Sequence, residues 1–296
     1  MSNKTFSRRA FIRTSLVAAN LTTALGLGLA GYAYRVEPEW LDLSAVTVPI
    51  AGLDPAFAGY RIAHLTDLHV DPTWMTPPRL RSIVELANDQ QADLIAITGD
   101  FITSHSQQYA KTTAEALAGL NARDGVVAVL GNHDHWWYPE VIRHVLSLVG
   151  IRNLGDSFMT IRRGAASLQI AGLDDLWPDP TRRFTIYDHE PRFRQLLATL
   201  PAEGAAVLLV HEPDFADISA ASGRFGLQLS GHSHGGQVRL PGRGPLILPD
   251  MGRKYPAGLY QLGGMTQFTS RGLGLVPPQV RFNCRPELAV LTLQPA

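Results

Sequence analysis

The stretch "LSGHSHGGQ" places His232 and His234 two residues apart, among Gly231, Gly235 and Gly236 and directly after a short apolar run. At the end of a strand, residues i and i+2 project to the same side, so the two imidazoles are expected to converge on one point. "HLTDLHV" repeats the spacing with Asp67 and His69, and "ITGDF" contributes Asp100. "VLGNHDHWW" contributes Asn132, His133 and Asp134, and "AVLLVHEP" carries His211 at its end. One histidine at a strand end is more often a hydrogen-bonded structural residue than a ligand. Carboxylates, imidazoles and an amide together form a mixed oxygen and nitrogen donor set, which suits divalent first-row metals such as manganese, iron or zinc and suits calcium poorly.

These side chains follow apolar runs at 60–65, 94–98, 126–130 and 227–230, each of which reads as a buried strand, with a fifth run before His211. In open α/β sheets the carboxyl ends of strands are where ligands bind, so the five ends can share one site. Helical patterns at 79–90, 111–121, 140–149 and 191–200 alternate with the strands, and this alternation predicts an α/β fold. After Gly235 the pattern changes to short extended pieces, as in "GQVRLPGRGPLILPD", and closes with a strand at 288–293. That half is expected to form a second, mixed sheet. No repeat, low-complexity tract or Gly/Ser linker divides the chain from Val36 onward, so 35–296 reads as one large domain.

Seven side chains (Asp67, His69, Asp100, Asn132, His211, His232 and His234) exceed the needs of one tetrahedral zinc. They suit two metals bridged by one carboxylate. Two divalent cations against two carboxylates leave a charge of about +2, to be balanced by hydroxide and an anionic substrate, which points to phosphate. Two metals roughly 3.5 to 4 Å apart lower the pKa of a bridging water and clamp the attacking and leaving oxygens of a displacement at phosphorus. Hydrolysis of a phosphoester follows.

The ordered series "DLH", "GD", "GNHD", a lone histidine after a strand and "GHSH" resembles the calcineurin-like metallophosphoesterase family over nearly the whole chain from about Tyr60. The resemblance implies a four-layer α/β/β/α sandwich, two packed mixed β-sheets flanked by helices. It implies that Asp67, His69 and His234 hold a first metal, that Asn132, His211 and His232 hold a second, and that Asp100 bridges them. It makes His133 the group that contacts the phosphate and protonates or stabilises the leaving oxygen, with Asp134 orienting its imidazole. Thr103 stands where many members carry a supporting second aspartate. The run "SRGLGLVPPQVRFNCRPEL", with "GHSHGGQ", is similar to an exported bacterial branch that includes UDP-2,3-diacylglucosamine pyrophosphate hydrolase-like phosphodiesterases. Arg271, Arg281 and Arg285 lie in that run; they either reach phosphate or form surface salt bridges.

Arg8 and Arg9 precede an uncharged segment at 16–34, a pattern that resembles a twin-arginine export signal and overlaps with that of a membrane anchor. Residues 1–34 are therefore expected to be signal or anchor, placing the protein in the periplasm or on the outer face of the cytoplasmic membrane. The chain of 296 residues has a net charge of +0, which excludes the global basic field of non-specific nucleic-acid binding. A monomer is the expected state. Cys284, the lone cysteine, reads as a small filler. His64, His105, His144 and His189 match no motif and read as structural or exposed, as does His135 beside the site. Trp136, Trp137 and Tyr138 read as a loop wall whose position also suits a lipid or a sugar. The leading expectation is a membrane-associated enzyme cleaving phosphodiester or pyrophosphate bonds in lipid-linked or cell-envelope molecules, with two divalent ions, manganese first and iron, zinc or magnesium as alternatives. A soluble phosphodiesterase acting on nucleotides or nucleic acid, and a non-catalytic metal-bearing envelope binding protein, are the other readings.

Overall fold

The computed structural model describes residues 8–103 and 107–296; His105 lies outside the described residues. The chain opens with helix α1 (Arg8–Arg35), followed by strands β1 (Asp42–Ile50) and β2 (Arg61–Leu65), helix α2 (Pro77–Asp89) and strand β3 (Leu94–Thr98). Helix α3 (Gln107–Leu117), strand β4 (Val126–Val129), helices α4 (Asn132–Trp137) and α5 (Pro139–Leu148) and strand β5 (Ile151–Asn153) complete the first half. Then come β6 (Ser157–Arg163), β7 (Ala166–Gly172), α6 (Glu190–Thr199), β8 (Ala205–Leu209), α7 (Ala216–Ala221) and β9 (Leu227–Ser230). The last part holds β10 (Arg239–Leu240), β11 (Gly244–Pro245), β12 (Gly258–Leu262), β13 (Met265–Thr269) and β14 (Glu287–Pro295).

Two six-stranded sheets result, ordered β1-β14-β2-β3-β4-β5 and β12-β13-β9-β8-β7-β6. In the first, β2 to β5 run parallel and β14 enters antiparallel to β2 while pairing parallel with β1. In the second, β13, β9, β8 and β7 run parallel, with β12 and β6 antiparallel at the edges. The continuous apolar runs follow from burial on both faces. Leu94 and Ala96 of β3 face the second sheet, while Ile95 and Ile97 face the layer of α2, α3 and α5. Likewise Val207 and Leu209 of β8 face the first sheet, while Ala206 and Leu208 pack with Phe193 of α6 and Ala216 of α7. The expected four-layer α/β/β/α sandwich is the fold.

The expectation that the segment after Gly235 builds the second sheet needs correction. Only β12 and β13 join it, the other four strands come from 157–230, and β14 returns to the first sheet between β1 and β2. Such pairing is set by long-range packing, which local periodicity does not encode. Strand β1, whose side chains alternate between partly exposed and exposed until its buried end, and the β6–β7 hairpin also lie outside the strands read from the sequence.

Helix α1 includes Arg8 and Arg9 and exposes Leu25, Leu27 and Leu29; among the described residues no helix is long and apolar enough to cross a membrane. Its last turn is docked, because the Arg281 amide donates to the Ala33 carbonyl at 2.9 Å and Tyr32 meets the Phe282 ring edge-on.

Arg281 is fully buried and donates to the carbonyls of Arg271, Gly272, Gly274 and Cys284 at 2.7 to 3.1 Å. That loop in turn donates from Leu273 to Thr66 and from Gly274 to Asp67, so the guanidinium braces the segment behind Asp67. Arg281→Leu should therefore lower the free energy of unfolding by about 3 kcal/mol or more, since several buried carbonyls lose their donor at once. Urea unfolding checks this; a loss below about 1 kcal/mol would show that the loop is held by other contacts.

Candidate metal centre

Strands β2, β3, β4, β8 and β9 end at one edge of the sandwich, and their donors lie two to four residues past the last paired residue. The convergence does not come from strand alternation, as the i, i+2 spacing suggests. Asp67, His69, Asp100, His232 and His234 all lie past the strand ends with left-handed backbone, at φ of 51°, 46°, 56°, 67° and 50°. Non-glycine residues adopt this region at a cost, and such strain collects where the surroundings over-determine a site. Tight loop crossings provide that determination. A Cβ on Gly131 would overlap the Asp100 carboxylate, and one on Gly231 would overlap Thr66 Oγ1 and Asp67 Oδ2, which explains the glycines of "GNHD" and "GHSH".

Asp67, His69, Asp100 and His234 are buried, with one donor atom from each lying within 4.8 Å of the others. His69 Nε2 lies 3.0 Å from His234 Nε2, His234 Nε2 lies 3.2 Å from Asp67 Oδ1, and His69 Nε2 lies 3.3 Å from Asp100 Oδ2. Atoms bound to one small cation at about 2.0 to 2.2 Å stand roughly 3 to 3.5 Å apart, so the spacing suits a shared ion. The same Asp100 Oδ2 lies 3.3 Å from His211 Nε2 on its other side. His211 Nδ1 is committed to the Thr98 carbonyl at 2.6 Å, which leaves Nε2 facing inward as a buried atom without a hydrogen bond. His232 Nε2 donates to the Asp250 carbonyl at 2.8 Å, so its Nδ1 presents a lone pair 3.0 Å from Asn132 Oδ1. Two acceptors in that contact, beside the orphaned His211 nitrogen, mark a second place for a cation. The residues present thus fit two ions with Asp100 between them.

The charges agree with this fit. Burial would raise the Asp67 and Asp100 carboxyls, yet His234 beside Asp67 and the His211 and His133 imidazoles beside Asp100 hold both below the usual carboxylate range. Burial lowers His234 and His133 to about 4, which keeps both imidazoles neutral at neutral pH. Asp134 is not aimed at the His133 ring as expected from the sequence. Its oxygens accept from the backbone amides of Asp100, Phe101 and Gly131 at 2.9 to 3.0 Å, tying the loop after β3 to the loop after β4. The His133 amide completes that tie by donating to Asp100 Oδ1 at 2.9 Å.

A cavity of about 350 Å³ opens from this centre. Asp100, Asn132, His133, His232 and His234 form its floor; Trp136, Trp177, Leu246, Ile247, Val276 and Pro278 are among its walls. Trp136 donates from Nε1 to the Trp177 carbonyl at 2.8 Å and lies 4.7 Å, centroid to centroid, from the His133 ring. Trp177, on the loop after β7, carries no sequence signal of its own. None of the three arginines raised from the sequence lines the cavity: Arg271 pairs with Asp42 and Glu287, Arg285 pairs with Asp42 over the Trp40 ring, and Arg281 is the buried brace. Of the other histidines, His64 bonds Thr98 and His135 bonds Asp174.

Residues 60–236 match the calcineurin-like phosphoesterase family. The chain is 33% identical to the metallophosphoesterase YkuE of Bacillus subtilis (strain 168), over 98% of this chain and 99% of that one. It is 28% identical to phosphodiesterase YaeI of Escherichia coli (strain K12), over 97% of this chain and 99% of that one. A Danio rerio transmembrane protein with a metallophosphoesterase domain is 28% identical over 96% of this chain and 63% of its own length. The chain belongs to the calcineurin-like phosphoesterase family, and it is a metal-dependent phosphoester hydrolase.

Proposed function

We propose that the protein is a dinuclear phosphodiesterase whose substrate carries a large apolar substituent, of the kind found in lipid-linked cell-envelope molecules. The observation that supports this reading is the cavity: it runs from the metal centre between tryptophan, leucine, isoleucine, valine and proline walls, and among the described residues no lysine or arginine lines it. Two divalent ions against the carboxylates of Asp67 and Asp100 leave about +2. A hydroxide and a singly charged diester balance that charge, whereas a dianionic monoester would leave excess negative charge with no cationic side chain to meet it. A nucleotide base and ribose would also need free polar groups. Gln237, the amide in the wall, spends its side chain on the backbone of Val276 and Pro278.

Asp67, His69 and His234 would hold one ion and Asn132, His211 and His232 the other, with Asp100 shared; manganese leads, with iron, zinc or magnesium as alternatives. When bound, the ions supply Lewis acidity and lower the pKa of coordinated water. The chain's own contributions are positional. Asp134 holds the Asp100 and Asn132 loops together, Trp136 and Trp177 confine the substrate, and His133 stands on the cavity floor outside the ligand set to stabilise the leaving oxygen by a hydrogen bond from its neutral imidazole. Residues 1–34 are proposed to be a twin-arginine export signal or anchor and 35–296 the catalytic domain, acting as a monomer in the periplasm or at the outer face of the cytoplasmic membrane; the transmembrane zebrafish relative is consistent with membrane association.

Asp100→Ala is expected to remove both metals, whereas His69→Ala empties mainly one site, because only a shared carboxylate serves both ions. Metal analysis of the purified variants decides; one metal per chain retained by the Asp100 variant would overturn the shared role. His133→Ala should keep both metals and lose about 10² to 10⁴ in turnover, with a smaller loss for bis(p-nitrophenyl) phosphate, whose leaving group needs little stabilisation. Equal losses for good and poor leaving groups would assign His133 to phosphate binding instead. Replacing Arg8 and Arg9 by Lys should strand active, metal-loaded protein in the cytoplasm; undiminished export, followed by cell fractionation, would remove the twin-arginine reading.

A further inference from the structure

Leu246 and Ile247 are 55% and 76% exposed, yet both line the cavity, so they form the rim of its mouth. They follow directly on the β10–β11 hairpin, whose turn exposes Pro241, Gly242 and Arg243. Adjacent large aliphatic side chains left in water cost hydrophobic free energy, and apolar residues beside a cation at a surface are the pattern of an interfacial contact.

Backbone pairing fixes where this rim lies. The Leu246 amide donates to the Val238 carbonyl at 3.0 Å, and Val238 bridges Phe282. Arg239 and Phe282 exchange a further bond, the Arg239 amide donating to the Phe282 carbonyl at 2.9 Å. Phe282 meets Tyr32 edge-on, beside the point where the Arg281 amide holds Ala33. The hairpin and the last turn of α1 thus share one pivot. Beyond that pivot residues 23–31 of α1 are exposed throughout and carry no charge, Leu25, Leu27 and Leu29 among them. An apolar stretch of helix exposed along 23–31 needs a different apolar environment.

We infer that the β10–β11 hairpin and the Leu246–Ile247 rim form a bilayer-docking surface on the catalytic domain itself, seating the cavity mouth on an anionic membrane beside α1. Three features commit the surface to lipid: Arg243 supplies the charge that an anionic leaflet attracts, the rim is continuous through Phe282 with an exposed apolar helix, and its inner side is the wall of the cavity. An apolar substituent can then pass from the bilayer to the metal centre without crossing water. This step rests on the phosphodiesterase reading for its purpose, but the surface is testable without it.

Cys284 is the only cysteine and is buried, so the Ile247→Cys variant of the full chain offers a single exposed thiol for an environment-sensitive dye. Mixed with vesicles of phosphatidylcholine containing phosphatidylglycerol, the labelled protein should show a blue shift and quenching by quenchers placed in the acyl region. The Leu148→Cys variant, 70% exposed on α5 and away from the cavity, should show neither. Arg243→Glu should weaken binding to these vesicles by about fivefold or more, and the effect should vanish with phosphatidylcholine alone. A water-exposed dye at position 247 on vesicle-bound protein would overturn the inference, since α1 alone would then carry the attachment. A blue shift without lipid, accompanied by a doubled mass in solution, would overturn it in favour of a second copy covering the rim. Turnover of bis(p-nitrophenyl) phosphate by the unlabelled wild-type chain is read separately: lipid contact without turnover would defeat the proposed activity and leave the docking surface standing.

Discussion

One oxygen of Asp100 stands 3.3 Å from the inward nitrogens of both His69 and His211, and everything else in the centre is arranged around that shared position. A carboxylate buried at this depth is costly unless charge or hydrogen bonds compensate it. Its outer oxygen accepts from the His133 amide, while its inner oxygen faces the His69 and His211 imidazoles. The site is therefore built to be completed by cations. The orphaned His211 nitrogen and the facing acceptors of His232 and Asn132 tell the same story on the second side.

Holding so many donors together requires backbone that regular strands cannot supply. Five of the seven proposed ligands sit in the left-handed region just beyond strand ends. Hydrogen bonds across the loops hold them there: Asp134 binds the amides of three residues on two loops, and both oxygens of Asp67 accept from the His232 amide at 3.0 Å. Asp67 and His232 follow strands of different sheets, β2 and β9, so that contact also staples the sandwich at its functional edge. The Arg281 brace supports Asp67 from behind. Local strain at the ligands is thus offset by cross-loop hydrogen bonding and by the packed layers beneath.

The cavity walls come from a part of the chain with little regular structure. Segments 236–249 and 276–278 carry short strands, turns and prolines, and they are knitted by Gln237, whose side chain bonds the backbone of Val276 and Pro278. An apolar wall over a charged floor separates the two halves of an amphiphilic substrate. The polar chemistry is confined to the floor.

Much of the centre was legible in the sequence because each donor follows an apolar run, and short-range pattern is enough to mark a buried strand and the residues just past it. The seven proposed ligands, His133 and the α/β alternation of the first half were all readable in this way, and the chemistry of mixed oxygen and nitrogen donors followed from residue type alone. The sequence could not decide contacts between distant segments. That β14 inserts between β1 and β2, that Asp134 ties loops instead of orienting His133, that the loop braced by Arg281 packs behind Asp67 and that Trp177 packs edge-on against Trp136 all depend on residues brought together over tens to hundreds of positions. Periodicity reports which face of an element is apolar; only the packed tertiary structure selects the partner for that face, because the free energy of burial depends on area removed from water and not on where in the chain it comes from.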